Sequence, residues 1–520
     1  MSKGTSTPDE KASYSLQEDV VPAESTRGWL SAWRKSDDSD FYREALAKYG
    51  GKGDIDPVRE KRLRKRIDWI ILPQLGICYL FYYVDKTTLS YAAIFGIKSD
   101  LNLYGTRYSW LSSVFYFGWL VWAMPSNLLM QRSPAGSYLA INIFLWGAFL
   151  MAQAGAKNYT DMVILRVISG AAESIADPAF MLITTSWYLR SEQPKAIAMW
   201  YVWNGVGVAA GGLLGYAIGH IRGALASWRY EFLIVGAICS FWACILFVLL
   251  PNSPATSRWF SRDDRLFLVA RVAKNQTGID NRKIKKDHVI DFLTDIKSYM
   301  FFLLGFVANI PNGGISNFST LIIKGLGFDT FHTALLGIPQ GALVVIWISA
   351  GAYLNSKLPN NSRTLVCMLF MLPTIAGCLG FLLAPHTAYV GRLICFYATG
   401  SYQASFVIAL SLITSNTGGQ TKKQLTSAII WMGACIGNIA GPFFFKSEQA
   451  PGYKLGIGAM LVANCLELIL FVLFRIMFVR ANKAKDRLAA ERREGPVPDS
   501  QETAFADLTD RQNPNFRYVY

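Results

Sequence analysis

The sequence predicts an all-α membrane protein of twelve transmembrane helices in two six-helix bundles. Three observations predict it: too little charge to coat a soluble chain, apolar runs of helical length recurring from Ile67 to Val479, and basic residues gathered beside those runs. The 520 residues are 52% hydrophobic, 14% aromatic and only 17% charged, so lipid must take the place of water around much of the surface.

A hydrocarbon core of about 30 Å needs roughly 20 apolar residues per helical crossing. Read between charged and Pro/Asn punctuation, the first half offers spans near 67–95, 107–130, 137–155, 160–186, 195–219 and 229–250. The second half offers 299–324, 331–354, 364–384, 388–414, 424–445 and 455–479. Backbone groups in lipid must be paired within their own segment, and the helix does this. Six spans, a long polar connection and six more spans is the layout of two bundles facing each other across a central cavity. The expected domains are an N-terminal tail (1–66), a first bundle (67–250), a linker (251–298), a second bundle (299–479) and a C-terminal tail (480–520).

The net charge of +15 is not spread over a globular face, which argues against nucleic acid as a partner. Arg59, Lys61, Arg62, Arg64, Lys65 and Arg66 precede the first span, and Arg480, Lys483, Lys485 and Arg487 follow the last. The linker is basic as well, with Arg258, Arg262, Arg265, Arg271, Lys285 and Lys286. By the positive-inside rule both tails and the linker share the cytoplasmic face, where they meet anionic lipid headgroups. The first 66 residues hold no apolar segment, so a cleaved signal peptide is not expected and the first span directs insertion. All eight cysteines fall inside apolar runs and read as small hydrophobes, with no metal or disulfide implied.

A charge near mid-membrane costs at least about 2.5–3.5 kcal/mol, so one that persists is either used or paired. Asp85 and Lys86 interrupt the first span just after Tyr83, and Arg166, Glu173 and Asp177 lie in the fourth. Arg166 and Glu173 are two helical turns apart, roughly 10 Å on one face. Gly170 between them offers a notch through which a substrate carboxylate could reach the guanidinium. Asp85 and Glu173 are the candidate proton carriers; Lys86 and Arg166 are the candidate substrate contacts, with Tyr83 beside them. An anion arriving at those cations would compete with the carboxylates for them and favour their protonation. Asp177 is placed at the cytoplasmic end of its span, where Asp-Pro marks a bend, and Glu467 and Arg475 in the last span are expected to pair or snorkel. The seventh span opens on Asn309-Ile-Pro-Asn-Gly-Gly-Ile-Ser-Asn317, a sequence expected to break the helix and present Asn309, Asn312 and Asn317 to a ligand. Glycines spaced along the fifth and eleventh spans, Gly205 to Gly219 and Gly433 to Gly441, let helices approach closely for either static packing or rocking.

Longer motifs add to this. They are Asp85-Lys-Thr-Thr-Leu-Ser-Tyr-Ala-Ala-Ile-Phe-Gly96, Arg166 to Glu173, Trp187-Tyr-Leu-Arg-Ser-Glu192, Asn309 to Phe318, Gly437-Asn-Ile-Ala-Gly-Pro442 and Asn513-Pro-Asn-Phe-Arg-Tyr518. In these the sequence resembles the major facilitator superfamily and, within it, the anion:cation symporter family, in particular the fungal allantoate permease branch. The resemblance covers residues 60–480 and reaches into the tail. It implies proton-driven uptake of a small organic anion, such as allantoate, a ureido acid, a vitamin acid or an amino-acid derivative, by a monomer in the plasma membrane without a cofactor. The family's first-helix acid falls on Asp85, its fourth-helix Arg and Glu on Arg166 and Glu173, and its eleventh-helix polar position on Asn438. Its first-helix cation, commonly Arg, is Lys86 here, and Asp177 stands where small or apolar residues are usual.

Two other functions on the same fold are proton-coupled efflux and a receptor that does not transport. The fifth span lacks the Gly-Pro signature of exporters, and the tails carry no recognisable signalling domain. His220, His288, His332 and His386 have no ligand or triad spacing, which argues against an enzyme.

Overall fold

The computed structural model describes residues 56–520 except 190–191, 274–284, 386, 451, 492–507 and 515, together with part of 41–49. Most of the expected N-terminal tail, the middle of the linker and His386 therefore lie outside the described residues. Among the described residues all regular structure is helical. The first six long helices are α1 (Pro57–Ile94), α2 (Arg107–Arg132), α3 (Ala135–Gln153), α4 (Tyr159–Trp187), α5 (Lys195–Gly219) and α6 (Ser227–Leu249). The second six are α7 (Ile296–Gly325), α8 (Thr330–Lys357), α9 (Arg363–Leu383), α10 (Tyr389–Ile413), α11 (Thr421–Phe444) and α12 (Lys454–Glu491). Ten of these are long and apolar enough to cross a membrane. The other two, α2 and α7, are 26 and 30 residues long and more polar because of their Ser, Asn, Gly and Pro content.

The helix ends follow local chemistry. Asp56 caps α1 by accepting the amides of Val58 and Arg59 at 2.9 and 3.3 Å, and Pro57 fills the first helical position, where its missing N–H costs nothing. The basic flank of the first span is thus itself helical. Inside α4 the regular helix stops at Glu173 and resumes at Ala176. Pro178 explains the interruption, since it offers no N–H to the carbonyl four residues back and its ring crowds that carbonyl. By contrast α7 passes through Pro311, Gly313 and Gly314 as one helix, so the break expected there is absent. The two glycines instead receive α11 and its end: a Cβ at Gly313 would lie 2.6 Å from the Asn438 carbonyl, and one at Gly314 2.4 Å from the Phe445 ring.

α1–α6 pack on one another, as do α7–α12, and the two groups meet along α1 with α7, α2 with α11 and α5 with α8. Close backbone approach makes several of these contacts. A Cβ on Gly170 would sit 1.9 Å from the Phe115 carbonyl oxygen, and one on Gly118 1.9 Å from that of Val167, so α2 and α4 touch through two glycines. Gly205 of α5 and Gly341 of α8 meet in the same way across the seam between the halves, at 2.5 and 2.4 Å from each other's carbonyl oxygens. Gly433, Gly437 and Gly441 do likewise for α11 against α7.

The two ends of the bundle are held differently. At the distal end, where α1 finishes, hydroxyl groups bond across the seam. Thr320 donates to the Ser90 carbonyl (2.6 Å), Tyr108 to that of Asn317 (2.7 Å), Ser113 to that of Ile439 (2.8 Å) and Ser109 to that of Pro442 (3.0 Å). At the tail end, where α1 begins, ion pairs tie each half to its own flanking segments. The helix Arg262–Ala273 is fastened to the first half. Arg271 meets Glu192 at 2.6 Å and Glu60 at 2.8 Å, and Arg59 meets Asp263 and Asp264 at 2.7 and 2.6 Å. In the second half residues 508–514 and 516–520 form a strap across the helix ends. The Asp510 carboxylate bonds Lys297 of α7, Lys422 of α11 and the Tyr518 hydroxyl. Asn416 exchanges two 2.7 Å hydrogen bonds with the Val519 backbone, and the Tyr518 ring stacks on Phe478 at 5.4 Å.

Two outcomes follow. Gly170→Ala must force α2 and α4 apart and should cost about 1–3 kcal/mol or more, seen as a lower melting midpoint of the purified protein in detergent. Burial pushes the Asp510 carboxyl up, but Lys297, Lys422 and Tyr518 outweigh it and hold it at about 2 instead of 3.8. Its share of stability is therefore complete above pH 3.8 and fades as the pH falls from there toward 2. Asp510→Asn removes the carboxylate that Lys297 and Lys422 share and leaves them Asp295 and, for Lys422, Asp291. It should therefore destabilise the protein at neutral pH by less than the ~3–5 kcal/mol of a fully orphaned buried charge, read in the same melting measurement.

Candidate functional site

Between the halves lies a cavity with about 590 Å³ of empty space, the solvent at its mouth included. Half of the residues lining it are aromatic, contributed by α1, α2, α5, α10 and α11, and its polar groups are Lys86, Asp177, Gln403 and three asparagines. A recess of about 260 Å³, reached past Lys86 and Tyr116, is lined by Asp85, Ser112, Phe115, Arg166, Ser316 and Asn317. Lys86 and Tyr116 face both spaces.

Lys86 forms no ion pair among the described residues. Its ammonium rests over the Tyr82 ring at 4.0 Å and near the Tyr83 ring at 5.0 Å, a cation–π arrangement that keeps the charge at the cavity wall. Asp85 is almost fully buried and accepts the Trp146 indole N–H at 2.8 Å on one oxygen, while its other oxygen has no hydrogen-bond partner among the described residues. Glu173 ends the first segment of α4 and is buried with its carboxyl against that of Asp85; among the described residues no N–H or hydroxyl group donates to either of its oxygens. It lies within electrostatic range of Asp85, Lys86, Asp177 and Arg166. Arg166 donates to the Leu111 carbonyl at 3.3 Å and lies over the Phe115 ring at 5.1 Å.

These positions revise several expectations. Gly170 offers no notch for a substrate, because the Phe115 carbonyl already fills the space beside it. Arg166 instead lines the smaller recess, together with Phe115. Asp177 is not at the end of its span but in the cavity wall, where it accepts the Tyr82 hydroxyl at 3.1 Å. Among the asparagines, Asn309, Asn312 and Asn438 line the main cavity and Asn317 the recess. Asn309 and Asn317 donate to carbonyls of their own helix, Gly305 and Gly313, at 2.9 Å each. Asn312 donates to Asn438 at 2.9 Å, and Asn438 donates to Asn309 at 3.2 Å, so the amides form a chain across α7 and α11. In α12, Arg475 bonds the Asn361 carbonyl and the Thr364 hydroxyl at 3.2 Å each. Glu467 does not snorkel; it is fully buried, with neither oxygen hydrogen-bonded among the described residues.

Sequence reasoning missed Trp146, Tyr201, Tyr402 and Gln403. An indole or phenol inside an apolar run looks like packing until its partner is known. Gln403, which accepts the Asn204 amide at 2.6 Å across the seam, carried a signal as a lone amide in a membrane span.

Comparison with known proteins agrees with this architecture. Residues 75–442 match the family model of the Major Facilitator Superfamily. The chain is 38% identical over 459 residues to an uncharacterised transporter of Schizosaccharomyces pombe, covering 88% of this chain and 87% of that one. It is 34% identical over 498 residues to the allantoate permease of Saccharomyces cerevisiae, covering 92% and 91%. Among solved structures, a D-xylose–proton symporter superposes with a TM-score of 0.58 at 13% identity, covering 78% of this chain and 97% of the symporter. A bacterial homologue of the human lysosomal transporter Spinster, inward-facing and occupied, gives 0.56 at 15% identity, covering 79% and 96%. The fold, the cavity between its halves and these similarities together make this chain a multi-pass membrane transporter of the Major Facilitator Superfamily.

Proposed function

We propose that the protein takes up a small organic carboxylate together with protons by alternating access. The observation that carries this reading is Lys86, a cation at the cavity wall without an ion-pair partner among the described residues, set in front of two buried carboxyl groups. A carboxylate entering the cavity meets Lys86 first. Once paired with the substrate, that ammonium contributes less to neutralising Asp85 and Glu173, and proton uptake on those carboxyls restores the balance. Arg166 serves as a second contact for an anion that reaches the recess. Tyr83 lies beside Lys86, the chain of Asn309, Asn312 and Asn438 lines the cavity on α7 and α11, and Asn317 lines the recess. The identity to the allantoate permease supports a ureido acid or a related carboxylate as cargo.

The basic tail end is assigned to the cytoplasm. The hydroxyl bonds across the seam then lie on the outer side, which fits a carrier closed to the medium. A plasma-membrane location and action as a monomer fit uptake from the medium.

Moving one elementary charge across 100 mV is worth about 2.3 kcal/mol, so an inside-negative potential opposes entry of a bare monoanion. Two carboxyls able to carry protons make uptake electrogenic. Adding substrate at low external pH should give an inward positive current; labelled uptake without current would remove the two-proton version. Glu173→Gln should abolish accumulation driven by a proton gradient while counterflow exchange continues. Accumulation that survives in this variant would sink the role of Glu173.

A further inference from the structure

The cavity wall carries an acid as well as a base, and the two do not neutralise each other. Asp177 and Lys86 line the same space, yet they form no ion pair among the described residues. Tyr82 stands between them: its ring carries the Lys86 ammonium and its hydroxyl donates to one Asp177 oxygen. Among the hydrogen bonds described this is the one that Asp177 receives. Tyr79, Tyr83 and Tyr201 line the cavity around that carboxylate. A carboxylate framed by tyrosine rings suits a positively charged nitrogen, which the ring faces and the carboxylate attract together. Keeping two opposite charges apart inside a membrane is costly, and a ligand bearing the complementary pair relieves both.

We infer that the cargo is a zwitterion, its carboxylate held by Lys86 and its cationic nitrogen held by Asp177 beneath the rings of Tyr79, Tyr82 and Tyr201. This rests on the reading of the cavity as a carboxylate site and narrows it. Asp177 is thereby a specificity-determining residue: it selects among carboxylates and is not one of the proton carriers. A zwitterion has no net charge, so each co-transported proton appears in full as inward charge.

The test is binding to the purified full-length protein, followed by thermal shift in detergent. The probes are α-, β- and γ-amino acids on one aliphatic and one aromatic skeleton, each beside its N-acetyl derivative and the deaminated acid. The expected result is that at least one amino acid binds more tightly than its two monoanionic counterparts. Asp177→Asn should weaken that amino acid on the order of 30-fold or more while leaving the monoanions unchanged, and Asp177→Glu should restore the preference. Unliganded melting of each variant identifies a folding defect separately. Monoanions that bind as well as the amino acids in the native protein, or a preference that survives Asp177→Asn, would overturn the zwitterion assignment alone. If no carboxylate of either kind binds, the carboxylate site itself falls with it.

Discussion

An ionised side chain inside a bilayer has no water to turn to, and the layout of α1 and α4 follows from that constraint. The buried acids and bases are not matched as contact ion pairs. Four of them lean on neutral groups: Lys86 on the Tyr82 ring, Arg166 on the Phe115 ring and the Leu111 carbonyl, Asp85 on the Trp146 indole, Asp177 on the Tyr82 hydroxyl; Glu173 lies against the Asp85 carboxyl. Such supports hold a charge in place without cancelling it. A set of charges left in this condition responds to whatever new charge enters the cavity, which a closed salt bridge would not do. The aromatic lining thus helps to keep the charges poised as well as shaping the space.

The same contrast separates the seam from the two halves. Within each half, ion pairs and straps join the helix ends, as at Arg271 with Glu192 and at Asp510 with its two lysines. Across the seam at the distal end the bonds run from hydroxyls to backbone carbonyls, next to glycine contacts that interlock no side chains. Hydroxyl bonds can be exchanged for bonds to water at modest cost, whereas breaking a buried ion pair is expensive. The contacts that tie each half together are thus costlier to break than the hydroxyl bonds across the distal seam, in keeping with the proposed alternating access.

The helices were legible in the sequence because lipid imposes a length and an apolar content that no other context demands. The expected first-half span 137–155 and the observed Ala135–Gln153 differ by two residues at each end. Asp85, Lys86, Arg166 and Glu173 stood out for the same reason, as costly residues in apolar runs. Local breaks were harder to read. Pro178 interrupts α4 while Pro311 leaves α7 whole, so a proline in an apolar run does not by itself tell whether the helix stops. Gly170 read as empty space until the partner helix was known; the Phe115 carbonyl occupies that space. Asp177 was misplaced because a one-dimensional span end cannot tell how far into the bundle a bent helix carries its acid.

The strap has a consequence for how the protein is made. Lys297 and Lys422 enter the second half on α7 and α11 with Asp295 and Asp291 already in the chain beside them, but the carboxylate that bridges the two arrives only with Asp510, after α12 has been synthesised. During biosynthesis the inserted helices therefore wait for the acid that joins α7 to α11, and the half has its full set of ion pairs only when Asp510 lies between the two lysines. The last residues of the sequence to be made thus complete the pairing of buried charges on helices made long before them.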